Sequence, residues 1–524
     1  MRLKTERRKG MYSVVTSGAV YGLEAYMVKV EADAGRGLPG FEMVGMPSGE
    51  VKEAKERVKV ALKNLGITFP PVHITVNFSP ANVRKSGTCF DLPIAIALMI
   101  ANGQIDQEST KDILLMGELG LNGEIQFAKG VLPIVIKAKE SGIKKCLVPA
   151  QNVREGAVVE GIDVIGINSL SDVIAYLKMN ETERESVYPK TVIDTEEIFE
   201  SQSLAYGLDF GDVVGQEGLK RAAVIATAGF HHMLMVGPPG AGKTMIAKRI
   251  PTILPKLSME ESLEVTKIYS ISGLLKEEES LKITRPFSSP HHTISEQALA
   301  GGGTIPKPGA ISLAHRGVLF MDEAVHFSAS AIETLRQPLE DKKIVISRSA
   351  GTFTYPADFM LVAAINPCPC GYFPNRNKCN CTEGQIQKYL SKISGPILDR
   401  IDICVEAASV RLEELKGKKS EVNSEVLRER VMKARRIQEE RYKGTKYQFN
   451  GELGPNDIDK YCHLGGEEEK FMEKAYKAMN LSARAYHKIL KVARTIADLD
   501  NEENINIKAL SEAINYRMSS QMYW

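Results

Sequence analysis

The chain has 524 residues, too many for a single hydrophobic core, so two to four domains are expected. Apolar residues make up 43% and charged residues 25%, an ordinary globular composition, and a formal net charge of +2 excludes a chain that binds polyanions through its total charge alone. The basic start (Arg2, Lys4, Arg7, Arg8, Lys9) is not followed by the apolar run of a secretory signal, and the apolar stretch 92–100 is too short to cross a bilayer. No membrane partner is therefore expected, and the cytoplasm is the expected compartment. Eight cysteines are too few for a disulfide scaffold. Their spacing is uneven: Cys89, Cys146, Cys404 and Cys462 are scattered, whereas Cys368, Cys370, Cys379 and Cys381 lie close together.

In chain order, Val51, Ala54, Val58, Ala61, Leu62 and Leu65 recur at helical spacing behind Ser48, a candidate cap. Pro70 and Pro71 stop that pattern, and Val72, Ile74, Val76 and Phe78 alternate as a strand. Residues 91–100 read as a buried helix capped by Asp91. Turn-rich pieces at 117–123 precede a helix over 130–141 and a strand over 145–148. Residues 1–175 thus read as one compact domain of mixed helices and strands, and the charged stretch 176–207, with Glu181, Glu183, Glu196 and Glu197, reads as a linker. From 208 to 410 the pattern is βα, with apolar runs at 233–236, 318–321 and 359–365 that suit buried strands of a parallel sheet. A hairpin is expected at 343–356. From 411 to 524 the strands fade into helices expected at 421–442, 467–479, 482–499 and 506–519, the third opened by Leu481 and Ser482 as staple and cap.

Gly237-Pro238-Pro239-Gly240-Ala241-Gly242-Lys243-Thr244 matches the phosphate-loop pattern in full, with an apolar strand before it and a helix after it. The glycines let backbone N–H groups turn toward a phosphate, and the helix adds its positive end. Lys243 is placed to reach the β- and γ-phosphates of ATP, and the Thr244 hydroxyl to take Mg²⁺. Asp322 and Glu323 close the next apolar run. Alone they read as a solvated acidic strand end. Downstream of a complete phosphate loop they read as an Mg²⁺ carboxylate and a carboxylate that polarises the attacking water. Asn366, ending the third run, reads either as a γ-phosphate or water contact or as a turn residue before Pro367. The long separation of Lys243 from Asp322 leaves room for an insertion. The adjacent His291 and His292 within it suit a loop or packing role better than a shared metal ion.

Cys368-Pro369-Cys370 and Cys379-Asn380-Cys381 form two Cys-x-Cys pairs within residues 368–381. Four soft ligands suit tetrahedral Zn²⁺ in a structural role, since none leaves an open position. Free thiols and another metal are the alternatives.

The phosphate loop, with 212–216, Arg285-Pro286-Phe287, Ser289-Pro290-His291-His292, 317–323, Leu398-Asp399-Arg400 and 481–499, resembles the magnesium-chelatase-like branch of the AAA+ ATPases. Over residues 11–519 the chain resembles the bacterial ComM/YifB family. The resemblance implies an α/β AAA+ core at 208–410, a helical C-terminal lid at 411–524, and a hexameric ring of identical chains with ATP between subunits. It places Gln216 near base and ribose, Asn366 at the first sensor, Arg400 at an arginine finger reaching a neighbouring subunit, and Arg484 at the second sensor. Without it, Arg400 and Arg484 would read as surface arginines. Arg336 and Arg348 are weaker candidates for contacts between subunits. Residues 75–98 and 117–149 resemble the Lon-like, ribosomal S5 domain 2-like α+β fold, with Cys89 and Leu132 where a Lon-type protease has its serine and lysine. Leucine activates no nucleophile, and displaced matching would bring in Lys129 or Lys137, so a scaffold or substrate-contact role is expected there. The family implies a DNA motor, a branch-migration helicase of natural transformation or recombination acting on single-stranded or branched DNA. Pore loops are expected in 270–312 and 343–356, where Lys307, Lys342, Lys343 and Arg348 would meet phosphates. The alternative is a magnesium-chelatase-like ATPase that remodels a protein client.

Overall fold

The computed structural model describes residues 12–35, 37–68, 71–200, 207–304, 306–348, 351–408, 422–521 and 523. The basic start, the 349–350 turn and the expected 410/411 boundary lie outside them. Two compact units emerge: Met1–Ser201 with Met259–Lys282, and Gln202–Ser258 with Ile283–Trp524.

The first unit is built on a seven-stranded mixed sheet. Its strands are β1 (Tyr12–Tyr21), β2 (Glu24–Gly35), β3 (Gly40–Val44), β4 (His73–Ser79), β5 (Ile113–Leu115), β6 (Lys145–Pro149) and β7 (Asp163–Ile167), in the order β3-β4-β2-β1-β5-β6-β7. Helices α1 (Gly49–Asn64), α2 (Asp91–Ala101) and α3 (Val131–Glu140) cover it. Ser48 caps α1, its Oγ accepting from Val51 N. Every residue of α2 is buried, as its unbroken apolar run requires. Asp91 is not its cap, however. Its carboxylate accepts two bonds from Arg57, at 2.6 and 2.9 Å, and one from Leu119 N. A buried carboxylate takes the strongest donors in reach, and a guanidinium fork outweighs the helix's own N–H groups.

Two helices, Glu181–Val187 and Thr195–Glu200, stand inside the stretch that reads as a linker from its charge. Asn180 closes a capping box with Glu183, so the acidic residues counted as linker composition include a helix-start signal.

Helix Met259–Ser272 belongs to this unit although it follows the phosphate loop in sequence. The buried Glu155 carboxylate accepts from Ser270 Oγ and Leu132 N, and Gly130 N donates to Ser270 O. The room for an insertion before Asp322 is filled by a piece of the other unit.

The second unit is a five-stranded, wholly parallel sheet: β8 (Met233–Val236), β9 (Phe287–Ser288), β10 (Val318–Met321), β13 (Met360–Ile365) and β14 (Ile403–Glu406), in the order β9-β10-β13-β8-β14. A separate hairpin pairs β11 (Lys343–Arg348) with β12 (Gly351–Pro356). All residues of β8, β10 and β13 are buried, as strands covered on both faces must be. Helices α4 (Glu217–Gly229) and α5 (Lys243–Ile253) share one apolar core with the sheet and with the C-terminal helices α7 (Ser424–Arg441), α8 (Gly466–Ala478), α9 (Ala483–Leu499) and α10 (Ile507–Gln521), while α6 (Glu383–Leu390) follows the clustered cysteines. Ser482 caps α9 through Ala485 N.

One buried ion cluster locks the C-terminal helices. Asp498 accepts from Arg441 at 2.6 and 2.8 Å, from Arg494 at 3.2 Å and from Asn450 at 2.8 Å. Removing the carboxylate leaves the buried Arg494 and the half-buried Arg441 without their counter-charge. Asp498→Ala should therefore cost about 3–5 kcal/mol, read as a lower denaturant midpoint for the transition that includes these helices. A midpoint unchanged from wild type would refute this account of the lock.

Candidate nucleotide and metal sites

Parallel register determines where chemistry is possible. Val236 lies opposite Ile365, and Met321 opposite Ala363, so the residues following β8, β10 and β13 emerge together at the carboxyl edge of the sheet. Open parallel sheets bind ligands at this edge. The residues that emerge are the Gly237–Thr244 stretch, Asp322 with Glu323, and Asn366.

The loop's shape is set by its ends. Gly237 sits so close to the chain just after β14 that an added Cβ would lie 2.5 Å from Ala407 O. Gly240 and Gly242 take φ of +75° and +80°, a backbone state that glycine adopts without strain. The Lys243 ammonium donates to Gly237 O at 2.6 Å, to Pro238 O at 2.9 Å and to Asn366 Oδ1 at 3.1 Å. Burial lowers its pKa, against the pull of Asp322 and Glu323. The Thr244 hydroxyl donates to Asp322 Oδ2 at 2.8 Å. This pair supplies hard oxygen donors of the kind Mg²⁺ takes. Asp322 Oδ1 also accepts from Glu323 N at 3.0 Å. Glu323 itself is exposed and holds φ at +50°, a left-handed state that costs a non-glycine residue free energy and concentrates at functional positions. Gln216, also left-handed, donates from Nε2 to Ala408 O at 2.5 Å, beside the base of the loop.

Arg400 and Arg484 stand elsewhere. Both line a cleft of about 400 Å³ with His232, Asp402, Lys488 and Lys491. Among the described residues the lining includes none from Gly237 to Thr244. Arg400 is buried, donating to Pro396 O at 2.6 Å and to Glu340, while its Nε has no partner. Arg484 is exposed on the first turn of α9. Lys488 pairs with Asp402 at 2.9 Å. Burial works to raise the Asp402 pKa, but Lys488 and the two neighbouring histidines prevail and hold it well below the usual carboxylate range.

The candidate pore segments meet. Ile346 of β11 packs at the position a Cβ on Gly301 would occupy, and Tyr355 of β12 donates to Pro306 O at 2.6 Å. Lys343, Arg348 and Lys307 are exposed. Lys342 is not available to phosphates: its ammonium is tied to Asp358 and Glu452. A lysine held by two carboxylates has its charge already neutralised, and the sequence gives no sign of the second partner, more than a hundred residues away. Arg336 is exposed.

The four clustered sulfur atoms lie within 4.8 Å of one another. Cys368 Sγ is 3.3 Å from Cys370 Sγ and 3.7 Å from Cys379 Sγ, and accepts from Phe373 N at 3.4 Å. The Cys370 thiol is pulled down to about 6, chiefly by the N–H of Tyr372. Sulfur atoms around a zinc ion, each about 2.3 Å from it, sit roughly 3.8 Å apart, so the donor set fits. His291 and His292 stack at 4.1 Å and continue toward His326 and Tyr389, and the only grouping of three or more metal-competent side chains among the described residues is the four cysteines. In the first unit, Cys89 is buried against Gly18 O with its thiol pushed up to about 12, mainly by burial, and Leu132 is buried. Lys137 pairs with Glu140, and no hydrogen bond joins Lys129 or Lys137 to Cys89 among the described residues.

The parallel sheet with a phosphate loop and paired acids at its carboxyl edge makes an α/β core of the P-loop class. Family profiles agree: "Magnesium chelatase, subunit ChlI" matches residues 209–415, "Subunit ChlI of Mg-chelatase" residues 30–152, and "Magnesium chelatase, subunit ChlI C-terminal" residues 421–517. The chain is 40% identical over 512 residues to Competence protein ComM of Haemophilus influenzae, covering 96% of this chain and 97% of that protein. It is 39% identical over 510 residues to protein YifB of Escherichia coli, again across 96% and 97%. A weaker likeness, 28% over 176 residues, links it to Lon protease 2 of Bacillus subtilis. The chain belongs to the magnesium-chelatase-like ComM/YifB family. Among the described residues, no helix is long and apolar enough to cross a membrane.

Metal analysis of the full-length protein, purified without chelators, should find about one zinc per chain, the stoichiometry of a four-cysteine site. Cys379→Ser should lose it. A folded wild-type protein with near-zero metal would refute the assignment.

Proposed function

We propose that this chain is an ATP-driven motor on DNA, a ring-forming branch-migration helicase. The observation that carries the nucleotide half is the meeting of Lys243, Thr244, Asp322 and Asn366 at the carboxyl edge of the parallel sheet. In this reading Lys243 and the loop amides would hold the β- and γ-phosphates, and Thr244 and Asp322 would hold Mg²⁺, which would supply positive charge against the phosphate oxygens. Glu323 orients and polarises the attacking water, and Asn366 fixes Lys243 and senses the γ-phosphate.

Arg400 and Arg484 are assigned to the neighbouring subunit's nucleotide. The support is their shared cleft, whose lining includes no residue of their own phosphate loop, and the unpartnered Nε of the buried Arg400. Two cations brought in from the adjacent chain would stabilise transition-state charge and make hydrolysis depend on assembly, for which a hexamer is the expected form.

The DNA half rests on the relative named as a competence protein and on the exposed Lys307, Lys343 and Arg348 of the joined loop and hairpin. These side chains suit phosphate contacts that hold a strand without reading bases. The first unit, with a buried high-pKa thiol at Cys89 and leucine at 132, is assigned a scaffold role rather than proteolysis.

ATP turnover should be measured with no polymer, single-stranded DNA, forked DNA and a four-way junction, alongside strand displacement. Stimulation by DNA with branch movement is expected. An active ring indifferent to every DNA form would shift the reading to a remodeller of a protein client. Lys243→Ala should abolish nucleotide-supported activity. Glu323→Gln should retain ATP while turnover falls about 10²–10⁴-fold, and normal hydrolysis by that variant would remove Glu323 from its role. Arg400→Ala chains, inactive alone, should regain turnover when mixed with Lys243→Ala chains, because each then supplies what the other lacks. Failure to regain any turnover despite confirmed mixed rings would overturn the intersubunit assignment.

A further inference from the structure

The cysteine loop lies between the nucleotide machinery and the helix α6 that follows it. Cys368 follows Asn366 by two residues, and Asn366 Oδ1 accepts from the Lys243 ammonium at 3.1 Å. Gly371, directly after Cys370, packs against the phosphate loop itself: a Cβ built on Gly371 would lie 2.5 Å from Pro239 Cδ and 3.0 Å from Pro239 Cγ. At its far end, Cys381 precedes Thr382, whose capping box starts α6, and Tyr389 of that helix places its ring 6.1 Å from His326, three residues past Glu323. Burial, then the nearby charge of Glu323 and Cys368, pushes the Tyr389 hydroxyl up to about 12.

The phosphate loop is supported unevenly. Its first residue, Gly237, abuts Ala407, whereas a Cβ on Gly240 or Gly242 would meet nothing within 4 Å. The middle of the loop is held by the burial of Ala241 and, at Pro239, by a second brace, Gly371. That brace sits on a segment with little regular structure of its own, in which Asn375, Arg376, Asn377 and Lys378 are exposed. Gly371 also has φ of +86°, so glycine meets both the close approach and the backbone state there. A metal ion closing the four thiolates would remove most of the freedom of this segment.

We infer that the four-cysteine loop, when metal-loaded, is a positioning device for the phosphate loop, setting Gly371 against Pro239 and Asn366 against Lys243, so that metal occupancy and nucleotide affinity are thermodynamically linked. The inference rests on the nucleotide reading above and on the fit of the sulfur cluster to a zinc-like ion. No cysteine or glycine in this loop touches the reacting atoms. Because linkage is reciprocal, bound nucleotide must tighten the loop's hold on metal by the factor with which metal tightens the nucleotide.

The test uses full-length protein in zinc-loaded, chelator-stripped and zinc-reloaded forms. The first readout is affinity for a fluorescent, slowly hydrolysed ATP analogue with Mg²⁺. The second is the rate at which zinc passes to a colorimetric chelator, with and without that analogue. Stripping should weaken the analogue about 5- to 150-fold, the usual range of such coupling, reloading should restore it, and analogue should slow zinc release. Gly371→Ala, which keeps all four cysteines, should hold one zinc per chain but bind the analogue at least about fivefold more weakly. Gly384→Ala, where an added Cβ meets nothing within 4 Å, should match wild type. If stripping unfolds the chain, the release rate and the Gly371→Ala affinity still decide. Equal analogue affinity in Gly371→Ala and wild type, with zinc release indifferent to analogue, would overturn the linkage while leaving the nucleotide site intact. A wild-type chain that binds no analogue in any metal state would instead bring down the nucleotide reading, and the linkage with it.

Discussion

Three buried strands in parallel register decide where charge can gather. Val236, Met321 and Ile365 each end an apolar strand with no polar residue of its own. The hydrogen-bond ladder fixes their relative height, so the segments that follow them leave the sheet at the same edge. A shift of one residue in β10 would put Asp322 inside the sheet, where an ionised carboxylate without partners is strongly disfavoured. Burial of the strands and function of the edge are thus one constraint, with hydrophobic packing doing the positioning that flexible loops cannot.

At that edge the loop holds an ammonium in a partly desolvated place. Burial weakens its hold on the proton, Asp322 and Glu323 oppose that tendency, and three oxygen acceptors fix its position. Such a group is preorganised: its solvation shell is already replaced by fixed dipoles, so little reorganisation remains when phosphate charge arrives. The left-handed Glu323 serves the same geometry. Its strain turns the chain directly after Asp322, separating two neighbouring carboxylates into a buried-facing partner of Thr244 and an exposed group.

Much of this was legible in the sequence because it is local. The phosphate loop, β8, β10, β13, the cap at Ser48 and helix α9 are each written in a run of neighbouring residues, and each stands where the pattern placed it. What was not legible is long-range. Asp91 carries a capping signal but answers to Arg57 across the unit. Lys342 is one more basic residue on a hairpin until Glu452 takes it. Helix Met259–Ser272 is an ordinary helix in sequence, and nothing in its composition says that it packs with residues numbered below 160. The approach of Gly371 to Pro239 leaves only a faint mark, a glycine after Cys370 that a tight turn alone would equally require. Charge pairs and close backbone approaches depend on which partners the fold delivers, and periodicity does not encode that.

The separation of the two arginines from the phosphate loop has a physical logic of its own. A guanidinium fixed beside its own chain's triphosphate would act in every isolated subunit, with no need of a neighbour. Arg400, anchored through Pro396 and Glu340 with one nitrogen unsatisfied, is instead held rigid with residual bonding capacity. An unsatisfied buried donor costs on the order of 1–3 kcal/mol. In the proposed ring, assembly would become a condition of the chemistry, because the Arg400 and the Lys243 acting on one triphosphate would belong to different subunits.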